Sequence, residues 1–310
     1  VSTHGIFRLP RYVHQLAKGY IHAQPNMKFV KEGPIVKVLD VDHSLGAVAS
    51  YLAMKEAIKL SSAKGVGIVA VRKSNHFGTA AFYSELASSE GQIGIVFTNT
   101  SPLIAPTGTK KPIVGNNPWS ISVPSRLGHP ITLDIANSVV ARGKIRIAAQ
   151  KGESIPLGWA LDRDGNPTTD PLEAIKGIIL PIGEHKGYGI SLMIEILAGV
   201  LTGADFAESM VGVDEDKKRN VGHLFMALNI EQFMPLEEFL SRVDELIQAV
   251  KRAPRIKEEQ EAFLPGEIEW RKKLACMEQQ TVPLSAKTFQ ALLDLCHEYK
   301  VDVSRLEKTS

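Results

Sequence analysis

GVGIVAVRKSNHFGTAAFYSELASSEGQIGIVFTN, residues 65–99, decides how the rest of the chain is read. Its opening is apolar and β-branched, which predicts a strand over 65–71. The polar stretch 72–78 predicts a loop, 79–90 a helix, and 93–99 a second strand. A strand–helix–strand unit of this kind places its chemistry at the C-terminal ends of its strands. GVGIVA (65–70) also matches G-x-G-x-x-A, but the dinucleotide fingerprint needs a strand before the glycines and a helix after them. Here a helical pattern, LGAVASYLAMKEAIKLSSAKG (45–65), comes first and the glycines begin a strand. They are therefore not read as a phosphate loop, and no Walker A pattern occurs elsewhere.

Working toward the N-terminus, Pro10 suits the first turn of a helix, where its missing N–H costs nothing. RYVHQLAKGYIHA (11–23) would follow, with Tyr12, Val13, Leu16 and Tyr20 on one face. His4 and Arg8 lead into that helix. The chain begins with Val1 inside what reads as a structured motif, and a further N-terminal segment is expected to precede it. Working toward the C-terminus, 100–118 is rich in Pro, Gly and Asn and predicts a long loop. Short strands are expected at 119–124 and 129–136, and a helix at 139–152. A turn-rich connector covers 162–171, and a glycine-bearing loop, 180–189, leads into an apolar helix over 190–202. A strand at 223–230 precedes helices at 237–253 and 285–300, the last capped by Ser285.

With 310 residues, 44% hydrophobic and 23% charged, the chain is a globular protein of one large domain or two smaller ones. A net charge of +2, with basic residues dispersed, points away from nucleic acid and anionic membranes. The longest apolar run, ISLMIEILAGVL (190–201), is short of the ~18 residues of a membrane span and carries Glu195. Cys276 and Cys296 lack zinc-site spacing and are read as reduced core thiols, with a cytoplasmic compartment expected.

Several residues are candidates for chemistry, each beside a plainer reading. A 2-oxo acid needs a cation to grip its carboxylate, which arginine does with two parallel hydrogen bonds. It also needs an acid at its carbonyl oxygen, for which histidine is suited. His4 and Arg8 offer that pair, or else a turn cap and a solvated cation. His76, at a strand–helix junction, either satisfies local backbone or faces a ligand near a helix N-terminus. Asp134, at the end of the strand in TLDIANSVVARGK (132–144), suits a ribose or amide, or serves as a helix cap. Lys186 in EHKGYG (184–189) stands beside glycines that permit close approach of a phosphate-bearing ligand, or is simply solvated. FLPGEIEW (263–270) reads as a helix start whose N–H groups could meet an anion, or be capped by Glu267 or water.

Taken in order, THGIFRLPRYV (3–13), SNHFGTAAFYSELA (74–87), TNTSPLIAPTGT (98–109), GNNPWSISVP (115–124), LDIANSVVARGKI (133–145), GWALDRDGNPTTDP (158–171), LPIGEHKGYGISLMIEILAGVLTGADF (180–206) and LPGEIEWRKK (264–273) resemble the type-2 malate/L-lactate dehydrogenase family over nearly the whole chain. That family includes sulfolactate and ureidoglycolate dehydrogenases and cyclic-ketimine reductases. The resemblance implies an α/β, non-Rossmann, mixed-sheet NAD(P)-binding domain, assigned to 65–230. A largely helical substrate and dimer region would be formed by 1–64 plus 231–310. It implies a homodimer using NAD or NADP to interconvert a small 2-hydroxy acid and its 2-oxo acid, malate or lactate foremost. Ureidoglycolate oxidation or cyclic-imine reduction is the alternative within the family.

By the same resemblance, His4 and His76 are the catalytic histidines, and Thr3, Arg8 and Tyr12 contact substrate. Thr100, Asp134, Ile135, Ala136, Lys186, Pro265, Gly266 and Glu267 contact the coenzyme. Thr3 replaces the family's usual serine and keeps its hydroxyl. Glu184 and His185 depart from the glycine common before KGYG, and a carboxylate there would repel a phosphate. Of two other classes, a metal-dependent hydrolase using His4, His76 and Asp134 is disfavoured by the lack of H-x-H or H-x-x-x-H spacing, so no metal is expected. A noncatalytic binding module would hold coenzyme without turnover.

Overall fold

The computed structural model describes residues 4–212 and 215–304. In chain order the elements begin with α1 (Leu9–Ala17), β1 (Lys28–Glu32), β2 (Val36–Asp40), α2 (Gly46–Lys64), β3 (Val66–Ser74), α3 (Ala80–Ser88), β4 (Gln92–Thr98), β5 (Trp119–Val123) and β6 (Ile131–Ile135). Then come α4 (Arg142–Lys151), β7 (Ala160–Leu161), β8 (Pro167–Thr168), α5 (Pro171–Lys176), β9 (Ile178–Ile179) and α6 (His185–Ile194). α6 runs on into a π-helical turn, Glu195–Val200, followed by β10 (Val221–Asn229), α7 (Leu236–Arg252), α8 (Glu267–Glu278) and α9 (Ala286–Glu298).

A seven-stranded mixed sheet, ordered β1-β2-β3-β10-β4-β5-β6, organises the molecule. β2 and β3 run parallel with α2 as their crossover, and the other neighbouring pairs are antiparallel. The expected strand–helix–strand unit β3–α3–β4 is present, but β10 lies between its two strands and pairs with both. The directions follow from these pairings: β2, β3, β4 and β6 all end at the same edge of the sheet, and β5 and β10 begin there.

The glycines of GVGIVA act in packing. Gly65 ends α2 in the left-handed conformation, φ +86°. Gly67 brings β3 so close to α2 that a Cβ would lie 2.0 Å from the Ala57 carbonyl oxygen. The core between sheet and helices holds Val41, Met54, Val69, Val71, Phe77, Tyr83, Val96 and Phe225. Hydroxyls pair across the α3 side of this layer, Ser84 with Ser120 at 2.7 Å and Ser88 with Ser122 at 2.8 Å. A second, smaller core of Val140, Ile145, Ile155, Ala160 and Ile179 joins α4 to the small sheet β8-β7-β9.

Four expectations need correction. The first helix spans 9–17 rather than 11–23, because Gly19 at φ +69° turns the chain out after Lys18, leaving Tyr20 beyond the helix. Strands β1 and β2 add to the elements expected from the sequence. The stretch read as a loop over 180–189 is already helical from His185, so Lys186 lies in the first turn of α6. Cys276 and Cys296 are free but only half-buried, because the C-terminal helices that carry them sit at the surface. Among the described residues no helix is long and apolar enough to cross a membrane.

Candidate active site

The loop after β3 is clamped on both sides of His76. Asn75 is buried and its amide nitrogen donates to the carbonyls of His43 (3.2 Å) and Ser44 (3.0 Å), the turn preceding α2. Phe77 stacks between Tyr83 (centroids 5.1 Å apart) and His223 (4.6 Å), and the Tyr83 hydroxyl donates to its carbonyl. His223 is itself buried and held by Thr98 at Nδ1 (2.7 Å) and Ser74 at Nε2 (2.9 Å), the last residues of β4 and β3. His76 therefore stands on a rigid turn at the strand-end edge of the sheet.

The N-terminal segment lies over that turn. His4 stacks on His76 with ring centroids 5.5 Å apart and planes 15° from parallel. The Tyr12 hydroxyl is 2.6 Å from His76 Nδ1, which also receives the Gly78 N–H at 3.4 Å. With Nδ1 accepting, Nε2 carries the proton in the neutral ring and is the nitrogen left for a ligand. Burial, then the positive field of Arg8, lowers His4 to about 4. Burial and then Arg8 also push His76 well below its ordinary value. Burial raises the Tyr12 phenol, and Arg8 and Arg219 oppose that rise. The site thus combines two neutral histidines, a phenol and a nearby guanidinium. Thr3 lies outside the described residues.

The other candidates follow the same edge. The Thr100 N–H donates to Asn117 Oδ1 (2.9 Å), and its hydroxyl donates to Asn116 Oδ1 (3.1 Å). Asn137, just past Asp134-Ile135-Ala136, donates from Nδ2 to the Asn117 carbonyl and receives the Ile182 N–H on its own carbonyl, each at 2.9 Å. This brings the start of α6, with exposed Lys186, alongside. Thr132 donates its N–H to the Pro265 carbonyl (3.1 Å), and a Cβ on Gly266 would lie 2.9 Å from the Thr132 oxygen, so glycine is required at that turn. A cleft of about 490 Å³ lined by Ser101, Lys111, Arg142 and Met210 opens beside the Thr100 turn; the histidine pair is not among its walls.

Two candidates have structural partners as well. Asp134 is exposed, and its Oδ2 accepts the Ala81 N–H at 3.0 Å, capping α3 from the neighbouring strand. The Glu267 carboxylate turns inward to Lys251 (2.6 Å), Arg271 (2.6 Å) and the Leu264 N–H (3.0 Å). Although burial alone would raise it, these partners hold it at about 2. Its side chain is thereby occupied, and the 265–267 turn presents main chain. Residues that the sequence reading passes over are His223, Arg219 and Asn117. For Asn117 the signal lies in GNNP: a buried asparagine at φ +30° is a conformation few residues take.

The family model described as malate/L-lactate dehydrogenase matches residues 1–293. The chain belongs to that family. Membership makes it an oxidoreductase of the 2-hydroxy acid dehydrogenase class. It is 40% identical over 320 residues to a malate dehydrogenase of Pyrococcus abyssi, covering 99% of this chain and 86% of that one. It is 42% identical over 303 residues to an L-sulfolactate dehydrogenase of Methanocaldococcus jannaschii, covering 97% and 87%. A solved structure of sulfolactate dehydrogenase from that organism superposes with a TM-score of 0.91 at 41% identity, over 98% of this chain and 87% of the other. The malate/L-lactate dehydrogenase fold therefore carries the edge on which the histidine pair sits.

Proposed function

We propose that this malate/L-lactate dehydrogenase family member interconverts malate and oxaloacetate, or lactate and pyruvate, with a nicotinamide coenzyme. The observation that carries the reading is the convergence of Arg8, Tyr12, His4 and His76, fixed by the 2.6 Å Tyr12–His76 bond. Relatives whose names specify a coenzyme divide between NADP+, in a sulfolactate dehydrogenase of Chromohalobacter salexigens, and NAD+, in a ureidoglycolate dehydrogenase of Escherichia coli.

The donor set along the edge suits such a coenzyme. Asp134 offers a carboxylate for ribose hydroxyls, and Lys186 an exposed ammonium for a phosphate. The Pro265-Gly266-Glu267 turn offers main chain at a helix start, and Thr100 a half-buried turn. When bound, the coenzyme accepts or supplies the hydride at C2 of the substrate. The protein's own groups do the rest. Arg8 grips the carboxylate and sets C2 above the histidine pair. In the oxidative direction the acting form of neutral His76 is the other tautomer, whose Nδ1–H donates to the Tyr12 hydroxyl and whose bare Nε2 accepts the substrate's hydroxyl proton. His4 stacks on His76 and orients the substrate oxygen. In the reductive direction the same nitrogen, protonated, returns the proton to the forming alkoxide.

We also propose a homodimer with the helical chain ends at the substrate side, as the family resemblance implies. Along β4, Gln92, Gly94, Val96 and Thr98 are buried while Ile93, Ile95 and Phe97 on the opposite face are only half-buried. Ile121 and Leu133 on β5 and β6 continue that bulky apolar face, and a second copy would cover it.

The test follows absorbance at 340 nm with NADH and NADPH separately, using oxaloacetate, pyruvate and Δ1-piperideine-2-carboxylate; ureidoglycolate is run in the oxidative direction. Rapid oxidation with oxaloacetate supports the malate reading. Activity only with the imine or ureidoglycolate would replace it. His76→Ala is expected to lower kcat by about 10²–10⁴-fold, and wild-type turnover in both His4→Ala and His76→Ala would sink the assignment.

A further inference from the structure

Glu195 is a carboxylate with 3% exposure, placed where α6 passes into the π-helical turn. Such turns are frequent at functional sites. The partners of its carboxylate are amide N–H groups: Oε1 accepts from Ala207 N at 2.9 Å and Oε2 from Asn117 Nδ2 at 2.5 Å, and the Gly115 main chain adds a further hydrogen bond. Burial raises its pKa. A carboxylate is a costly way to fill such a space, so its being there asks for a reason.

Asn117 supplies one. It is fully buried, and its amide works in two directions. Nδ2 donates to Glu195 and to the Ser191 carbonyl (2.8 Å), while Oδ1 accepts the Thr100 N–H (2.9 Å). An amide can flip end for end; a neighbour that only accepts prevents this. Gly115 packs against the same group so tightly that a Cβ would lie 2.3 Å from Asn117 Oδ1. From the other side, Gly199 of the π turn fits against Asn99, where a Cβ would come within 2.7 Å of Nδ2.

We propose that Glu195 is a positioning residue for the coenzyme: by accepting only, it joins the Ser191 carbonyl in holding the Asn117 amide where its oxygen fixes the Thr100 turn. This rests on the reading that Thr100 contacts the coenzyme. The amide introduced by Glu195→Gln has a single oxygen and cannot offer an acceptor to both Ala207 N–H and Asn117 Nδ2. The main-chain donor keeps its partner, the new side-chain amide nitrogen then faces Asn117 Nδ2, donor against donor, and the displaced Asn117 loosens its hold on the Thr100 N–H.

The test measures Kd for NADH and NADPH by fluorescence, kcat, and Tm for wild type, Glu195→Gln, Asn117→Asp and the double variant. Glu195→Gln is expected to weaken coenzyme binding about tenfold, the scale of one unsatisfied hydrogen bond, with kcat within about twofold at saturating coenzyme. The double variant keeps an acceptor for the Thr100 N–H and replaces the donor–donor contact between positions 117 and 195 by a donor–acceptor one, at unchanged net charge, with only the Ser191 carbonyl losing its side-chain donor. It is expected to recover most of the affinity. A drop in Tm with unchanged Kd, or a double variant no better than the weaker single, overturns the proposal. If wild type binds neither coenzyme, the functional reading itself fails and takes the proposal with it. If wild type binds and Glu195→Gln binds equally well, only the role of Glu195 is lost.

Discussion

The histidine pair makes the site sensitive to charge. His4 at about 4 and His76, pushed well below its ordinary value by burial and then Arg8, are both neutral at pH 7 before substrate arrives. A bound carboxylate offsets Arg8 and raises both. Binding a 2-oxo acid for reduction therefore takes up a proton, and its KM should rise with pH, by up to about tenfold per unit, between the free histidine's value of about 4 and its raised value in the complex, and level off above that. Calorimetry in buffers of different ionisation enthalpy would show the uptake; a KM flat from about pH 5 to 8 and no uptake at the lower end would contradict it. His4, Arg8, Tyr12 and His76 are legible in the sequence because each sits at an element boundary in a recognisable motif. Glu195 is visible there only as the charge interrupting an apolar run. Its partner lies 78 positions away, and nothing local reveals a hydrogen bond made across the fold.

At the level of elements, α2, α7 and α9 fall within a few residues of their expected bounds, since apolar periodicity and the Ser285 cap are local signals. β1 and β2 give little sequence signal because β1 is an edge strand, exposed on nearly every residue, with lysine and glutamate where an inner strand would be apolar. α6 begins earlier than expected because Gly187 and Gly189 look like loop residues. Gly187 in fact lets the helix abut Ile182 and Asn137, where a Cβ would lie 2.5–2.8 Å from their main-chain atoms. The GVG glycines carry a sharper prediction. Gly67→Ala drives a methyl into the Ala57 carbonyl and should cost at least ~1–3 kcal/mol in urea unfolding. A neutral result would mean that α2 can lift from β3 freely.

For the whole molecule, the lopsided sheet is the feature to test. One face buries small residues and hydroxyls under α2 and α3, and the other leaves isoleucines half-covered. Sedimentation should show a dimer for wild type, and Ile121→Asp should shift it to monomer without loss of circular dichroism. A monomeric wild type would remove the interface. The sheet order itself is not legible in the sequence, because strands meet through pairings far apart in the chain. The insertion of β10 between β3 and β4 also sets a condition on biosynthesis. Until residues 221–229 leave the ribosome, β3 and β4 face each other across a gap of roughly 10 Å, each with a bare inner edge. A chain cut short before that point has two open strand edges and no floor beneath its histidines. Such fragments should be sticky and inactive, so the last third of the gene decides whether the first third folds.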